Sequence, residues 1–259
     1  MEKTSIFLKK EKNIGWIILN QPEKRNAICQ EMWESIPGLL EEAKNDTDIK
    51  VIVIRGSENK SFASGADISE FEKVHSKKEN SLKYNKVILD SEKLLANFPK
   101  PTIAMIHGPC VGGGCGLALA CDMRFGDEFS KFSIPPANLG LVYSLHGTKL
   151  LIDKVGPSLA KDMLYSARFI DSKEAINVKL LDKIFAKEEL ESKTVEYCNV
   201  ISKKSSYTIR SSKKIIQMIL NGLTEDNEET INLFNTAFEG NDYKEGTRAF
   251  LEKRKPNFN

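Results

Sequence analysis

The chain has 259 residues, of which 41% are hydrophobic and 29% are charged, and its formal net charge at pH 7 is +2. This balance, with lysines scattered along the chain, argues against a dedicated nucleic-acid-binding protein. No apolar run approaches the roughly 20 residues that a membrane-spanning helix requires, so we expect no membrane partner. Five cysteines without paired spacing and the polar start MEKTSIFLKKEKN predict a cytoplasmic protein with free thiols. The three dispersed histidines predict no metal site.

Short apolar strands alternate with helices in the first part of the chain. Strands are predicted at 15–20 and 49–56, with a helix at 27–44 between them. Pro37 is expected to kink or break this helix, because proline cannot donate a backbone hydrogen bond. After the loop SENKSFASGAD, a second helix is predicted to run to about residue 98.

The same alternation continues further along the chain. A buried strand at 102–107 is followed by the glycine-rich segment HGPCVGGGCG, the short helix CGLALAC, and the strands DMRFG and KFSIPP. From about residue 157 the pattern becomes helical. Repeated β–β–α units followed by helices predict an α/β core with a helical C-terminal subdomain. We place the core at 1–195 and the subdomain at 196–259.

Two of the strands end in loops that contain glycine and lead into a helix. These loops are FASGADI, after the strand at 49–56, and HGPCVGGGCG, after the strand at 102–107. Glycine lets the backbone approach a ligand closely, and the first turn of a helix has N–H groups without partners. Two such N–H groups directed at one oxygen form an oxyanion hole. Neither loop has the lysine of a phosphate-binding P-loop or the spacing of a dinucleotide fingerprint.

Taken together, the two loops have a specific resemblance. SFxSGADI followed by HGxxxGGGxxLALACD resembles the enoyl-CoA hydratase/isomerase, or crotonase, family, and the likeness continues through FSIPPANLGL and EGTRAFLEKRKPNF. The resemblance implies a spiral of ββα repeats with a helical C-terminal part, assembled as a homotrimer or a dimer of trimers. It implies an acyl-CoA substrate, with coenzyme A as part of that substrate and no separate cofactor.

The resemblance also implies which residues form the site. The thioester oxygen would be bound by the N–H groups of Ala66 and Gly113. The residues implied in binding the substrate and its CoA are Lys24, Arg25, Ala27, Ser64, Asp67, Ile68, Gly112, Pro136 and Lys253.

The acidic residues that hydratases of this family use are absent from the matching positions. One glutamate would stand at Gly116 and the other at Pro136, and neither glycine nor proline can transfer a proton. Since general acid–base groups contribute about 10²–10⁴-fold to rates, the standard hydration route is disfavoured. Decarboxylation forms the enolate by loss of CO₂ and requires no base, so it is the activity that the sequence favours.

The segments KFSIPPANLGLVYSLHG and NDYKEGTRAFLEKRKPNFN are similar to those of methylmalonyl-CoA decarboxylase-like members of the family. This similarity implies that Tyr143 orients the substrate carboxylate, although a tyrosine packed in the core is the alternative. His146 is a candidate proton donor or a supporting residue. Those members have a histidine at Ala66 and a glutamate at Gly116, so the same substrate is not implied.

Three functions therefore remain open at this stage. The first is decarboxylation of a malonyl-type or methylmalonyl-type CoA. The second is hydration or isomerisation of an enoyl-CoA through unconventional acid–base groups. The third is binding of an acyl-CoA without catalysis.

Overall fold

Short strands rich in isoleucine and valine form two sheets in the computed structural model, which describes residues 4–258. The strands are β1 Ile6–Glu11, β2 Ile14–Leu19, β3 Val51–Gly56, β4 Thr102–Ile106, β5 Pro109–Val111, β6 Met123–Asp127, β7 Lys131–Ser133, β8 Ile170–Asp171 and β9 Lys183–Phe185. The helices are α1 Gln30–Asn45, α2 Phe71–Val74, α3 Lys78–Ala96, α4 Gly113–Ala120, α5 Leu145–Ser166, α6 Ser172–Asn177, α7 Leu190–Ile201, α8 Ser206–Leu220, α9 Glu228–Glu239 and α10 Asn241–Leu251.

The two sheets receive consecutive strands of the chain. The larger sheet has the order β1-β2-β3-β4-β6-β9, in which only the β1–β2 pair is antiparallel. The smaller sheet has the order β5-β7-β8. After β4 and after β6 the chain moves directly into a strand of the smaller sheet, and after β5 it enters α4. This arrangement matches the predicted succession of ββα units followed by helices.

Side chains from the larger sheet are buried on both of its faces, as predicted for the strand at 49–56. Ile52 and Ile54 of β3 belong to one hydrophobic cluster, which includes residues of α1, α3 and α4. Val51 and Val53, which alternate with them, belong to a second cluster with Leu190 of α7. Successive residues of a strand point to opposite faces, so the continuous apolar run places helices on both sides of the sheet.

Helix α1 continues through Pro37, although a kink or break was predicted there. Pro37 has no N–H to donate to the carbonyl of Trp33, four residues earlier. That carbonyl instead accepts a hydrogen bond of 2.9 Å from Ser91 Oγ of α3, and the pair is buried. Because of the proline, the Trp33 carbonyl is free to accept the hydrogen bond that joins α1 to α3.

Replacing Ser91 with alanine is expected to lower the free energy of unfolding by about 1–3 kcal/mol, because a buried carbonyl loses its donor. Urea unfolding followed by circular dichroism would measure the change. Ser35→Ala on α1 is the control, since its hydroxyl bond to the Glu31 carbonyl is solvent-exposed and its removal should change stability by less than about 0.5 kcal/mol. Equal effects of the two substitutions would contradict this account of Pro37.

The C-terminal helices begin earlier than predicted. Helix α5 starts at Leu145, where Ser144 Oγ caps it by accepting from Gly147 N at 3.0 Å. Its regular geometry is interrupted only at Gly156, before Pro157. The boundary predicted after residue 195 lies within α7 and stays a prediction. Among residues 4–258, no helix combines the length and the apolar character needed to cross a membrane.

Candidate active site

Two glycine-containing corners of the chain meet beside the N-terminus of α4. Gly65 has φ +113° and Gly112 has φ +52° with ψ −114°, conformations that residues with a side chain rarely adopt. A Cβ built on Gly112 would lie 3.7 Å from Gly65 Cα. The backbone around 63 pairs with Cys110, and Ala66 pairs with Ile28, so the first corner is held between two neighbouring segments.

The same contact places Gly113 close to the backbone nitrogen of Ala66. A Cβ built on Gly113 would lie 3.9 Å from Ala66 N. Gly113 is the first residue of α4, where a helix has unpaired N–H groups and the positive end of its dipole. Within the described part of the chain, neither N–H group has a backbone or side-chain acceptor. Two unpaired N–H groups at neighbouring corners are what an oxyanion hole requires, and their binding of one thioester oxygen stays a prediction at this point.

An indole ring forms the wall next to these donors. Trp33 of α1 is fully buried, and its Cζ2 lies 3.3 Å from the Cβ position of Gly113. Low-polarity surroundings strengthen a hydrogen bond to a developing negative charge, because less water competes for it.

The residues predicted to bind CoA form two loops that are hydrogen-bonded to each other. Ser64 Oγ donates to the Lys24 carbonyl at 3.0 Å, and Ser64 N donates to the Arg25 carbonyl at 3.1 Å. Lys24 Nζ lies 2.5 Å from Asp67 Oδ2, and Asp67 also accepts from Ser69 N at 3.1 Å. Burial alone would raise the pKa of Asp67, but Lys24 and Ser69 outweigh burial and lower it. Asp67 therefore orders the loop as an ionised carboxylate.

The remaining residues predicted to bind substrate fall into three groups. Ala27 is buried beside Lys24, whose carbonyl accepts from Ala27 N, whereas Ile68 is 61% exposed. Pro136 begins a short 3₁₀ helix at 136–139, and the preceding Pro135 has its Cδ 4.0 Å from the Cβ position of Gly112. Lys253 follows α10, and no hydrogen bond or ion pair of the described residues connects it to the two loops. Its role in CoA binding stays a prediction.

The hydroxyl of Tyr143 points into the interior at Gly116. A Cβ built on Gly116 would lie 3.3 Å from Tyr143 Oη, and Gly147 leaves space for the phenol ring. The hydroxyl is buried without a hydrogen-bond partner among the described residues. Burial, together with the nearby Glu92 carboxyl, raises the pKa of Tyr143 well above its ordinary value. Tyr143 is thus a neutral hydrogen-bond donor without an acceptor among the described residues.

His146 lies on the first turn of α5, close to Lys93 and Lys149. Burial and these two lysines lower its pKa, so the imidazole is neutral at pH 7. Its Nε2 is buried without a partner in the described chain. No contact of the described residues brings His146 to Ala66 or Gly113, and its catalytic role stays a prediction.

The structure places a carboxyl group at this site that the sequence analysis missed. Glu92 of α3 is only 4% exposed, and a Cβ built on Gly116 would collide with its Oε1. Burial raises the pKa of Glu92 to about 7. The side chain of a different helix therefore occupies the space beside Gly116.

One sequence signal could have found Glu92. The buried residues of α3 lie on one face of the helix: Tyr84, Ser91, Glu92, Leu95 and Ala96. Glu92 is the one acidic member of this buried stripe, and acidic side chains are rarely buried without a partner. A glutamate on the apolar face of a helix is thus a signal for function.

The chain matches the family described as enoyl-CoA hydratase/isomerase over residues 9–259. It belongs to this family. Crotonyl-CoA hydratase of Syntrophomonas wolfei is 32% identical, with coverage of 100% of this chain and 99% of the relative. The short-chain-enoyl-CoA hydratase of Clostridium acetobutylicum is 30% identical, with coverage of 98% and 97%.

Solved structures of the family have the same fold. The crystal structure of an enoyl-CoA hydratase/isomerase family protein from Hyphomonas neptunium has a TM-score of 0.96 and 38% identity, and the match covers 99% of this chain and 98% of that one. The predicted crotonase-type spiral is thereby confirmed. Membership of the enoyl-CoA hydratase/isomerase family supports an enzyme that acts on acyl-CoA thioesters.

Proposed function

We propose that the protein converts an acyl-CoA through an enolate whose oxygen is bound by the N–H groups of Ala66 and Gly113. The observation that carries this proposal is the meeting of two corners, each with an N–H group that has no acceptor among the described residues. Removing one donor from an oxyanion hole typically costs about 2.7–4 kcal/mol of transition-state stabilisation. Two donors on a rigid backbone are therefore sufficient to make enolate formation the central step.

Proton transfer on an enoyl-CoA, by hydration or by isomerisation of the double bond, is the activity that we favour. Two of the relatives are named as hydratases, and their match extends over nearly the whole chain. The sequence favoured decarboxylation because Gly116 and Pro136 cannot carry a proton. The Glu92 carboxyl beside Gly116 removes that reason.

Decarboxylation of a malonyl-type CoA is the second candidate, and Tyr143 is the observation that supports it. Its buried hydroxyl has no protein acceptor among residues 4–258 and could donate to a substrate carboxylate. The nearby Glu92 opposes this candidate when it is ionised, because two carboxylates in one apolar space repel each other.

The absorbance of crotonyl-CoA at its enoyl band and the release of CO₂ from a panel of malonyl-CoA derivatives would separate the two activities. We expect turnover of crotonyl-CoA or of its β,γ-unsaturated isomer, and no CO₂ release above the solution rate. CO₂ release alone would establish the second candidate. Acyl-CoA binding by calorimetry without any turnover would instead identify a non-catalytic binding protein.

Replacing Tyr143 with phenylalanine gives a further test between proton transfer on an enoyl-CoA and decarboxylation of a malonyl-type CoA. If the substrate carries a free carboxylate, loss of the buried Tyr143 hydroxyl beside Gly116 should raise KM for it by at least about tenfold, since a charged acceptor loses its donor. For an enoyl-CoA, we expect KM to change by less than about threefold. Steady-state kinetics on both substrate classes would measure this, and an equal rise on both would contradict the assignment of Tyr143 to a carboxylate.

A further inference from the structure

We propose that Glu92 is the catalytic acid–base of this enzyme, with its carboxyl entering from α3 into the space that Gly116 leaves open on α4. This inference rests on the proposed enolate chemistry and names the group that moves the proton. It identifies the substrate class as an enoyl-CoA, which requires a proton to be removed and returned.

The position of Gly116 relative to the oxyanion hole is the first argument. Gly116 comes three residues after Gly113 on α4, which corresponds to a rise of about 4.5 Å along the helix axis. The α-carbon and β-carbon of a thioester lie two and three bonds from its oxygen. A carboxyl at Gly116 is thus at the distance where the carbons of the substrate react, once the oxygen is held by Gly113.

Gly116 and Glu92 are complementary in shape. Any side chain at Gly116 would meet Glu92 Oε1, and Glu92 Cδ lies 3.3 Å from the Cβ position. Glycine in a helix interior costs about 1 kcal/mol relative to alanine, so its presence in this buried helix requires a reason. The reason that the structure offers is space for the carboxyl of Glu92.

The helical turn that carries Glu92 is fixed on both sides of this residue. Ser91 is bonded to the Trp33 carbonyl at 2.9 Å, which fixes α3 against α1, and Leu95 is fully buried one turn later. Trp33 is also the wall of the oxyanion hole. The turn that carries Glu92 and the corner at Gly113 therefore both contact Trp33, which supports the fixed geometry that acid–base catalysis requires.

Glu92 has no structural task that would explain its burial. Within the described residues, neither of its oxygens takes part in a hydrogen bond or an ion pair, and burial is the sole cause of its raised pKa. A carboxyl in such a place is destabilising unless it binds something else. Its neighbours across the gap are the Tyr143 hydroxyl and, on its own helix, Lys93 next to His146.

One carboxyl is enough for either reaction of an enoyl-CoA. In isomerisation, ionised Glu92 takes the proton from the α-carbon of a β,γ-enoyl thioester, and the C–H electrons form a dienolate with its oxygen at the two amides. The same carboxyl then returns the proton to the γ-carbon, leaving the α,β-isomer. In hydration, Glu92 takes a proton from water as oxygen bonds to the β-carbon, and it returns that proton to the α-carbon. The Glu92 carboxyl is ionised again at the end of both reactions.

The ionisation of Glu92 suits this cycle. With a pKa of about 7, the carboxyl is present in both its acid and base forms near neutral pH. An acid–base group is most effective when its pKa is close to the working pH.

The test compares Glu92→Gln with Glu79→Gln, an exposed glutamate at the start of the same helix. Two readouts are followed: turnover of crotonyl-CoA and but-3-enoyl-CoA, and exchange of the α-hydrogens of butyryl-CoA for deuterium in D₂O by NMR. Glu92→Gln should lower both rates at least about 10²-fold, while the Kd for butyryl-CoA changes by less than about threefold. Glu79→Gln should leave all three values unchanged. Retention of both rates in Glu92→Gln would overturn the proposal.

A double variant tests the position of the carboxyl and also serves if Glu92→Gln fails to fold. In Glu92→Ala/Gly116→Glu the carboxyl is moved from α3 to α4 and the collision is removed, so exchange should rise at least about tenfold above Glu92→Ala. A folded double variant that binds butyryl-CoA without exchange would overturn the proposal. Failure of the wild-type protein to bind or convert any acyl-CoA would overturn the proposed function instead.

Discussion

Replacing Gly113 with proline is expected to lower kcat on the enoyl-CoA at least about 10²-fold below that of Gly113→Ala. The two variants both add a Cβ, 3.3 Å from Trp33 Cζ2, but only proline removes the N–H group. Loss of one oxyanion donor typically costs about 10²–10³ in kcat. The ratio of the two variants therefore corrects for the added Cβ and reports the loss of the N–H group together with the ring Cδ that replaces its hydrogen.

Proline can be accommodated at this position because Gly113 is the first residue of α4. The N–H group of that residue has no acceptor in the helix, and the fixed φ of proline suits a helix start. We expect the thermal unfolding midpoints of the two variants to lie within a few degrees of each other. The measurement is kcat and KM of both variants over a range of enoyl-CoA concentrations that reaches saturation. Equal kcat values in two folded variants would mean that this N–H group does not stabilise the enolate.

The positions of three strands of the larger sheet could be predicted from the sequence because their signals are local. The apolar runs at 15–20, 49–56 and 102–107 all correspond to strands of the larger sheet, with ends within two residues of those predicted. Glycine at 65 and 112 marked the two corners, where only a residue without a side chain tolerates the backbone conformation. That the corners meet is not a local property, and it followed from the resemblance to a known family.

Two features escaped prediction for the same physical reason. The carbonyl that Pro37 leaves without a helical donor accepts from the hydroxyl of Ser91, and the space beside Gly116 is occupied by the carboxyl of Glu92. Both partners lie on α3, far away in sequence. Motif comparison examines which residue stands at a given position, so it identifies Gly116 only as the absence of the family glutamate. It does not register that another helix fills the same space.

The start of α5 shows a third kind of difference. The pattern predicted helix from about residue 157 onward. The structure has helical turns on both sides of this point, from Leu145 to Ser166. The Ser144 cap lies in a stretch of exposed apolar residues, Leu141, Val142 and Leu145, which has no helical periodicity toward the core.

The stability of the protein should depend on pH through Glu92. Burial raises the pKa of Glu92 to about 7, compared with an ordinary value near 4.5 in the unfolded chain. Between these values the native protein holds a proton that the unfolded chain has released, so the free energy of unfolding falls as pH rises. Over a shift of this size the loss amounts to on the order of 3 kcal/mol by pH 8. Below about pH 4.5 Glu92 is protonated in both the native and the unfolded protein, so the stability that is lost at higher pH is fully present.

Glu92→Gln should remove this dependence, because glutamine resembles the protonated carboxyl at every pH. We expect the variant to be more stable than the wild-type protein by on the order of 3 kcal/mol at pH 8 and nearly equal to it at pH 4.5. Urea unfolding at the two pH values would measure both differences, with Glu79→Gln as the control that should show neither. Tyr143 does not interfere, because its raised pKa keeps it neutral throughout this range. A gain in stability at pH 8 together with loss of proton exchange would show that the buried charge is retained for the reaction. Parallel stability profiles would mean that the Glu92 carboxyl ionises as freely in the native protein as in the unfolded chain.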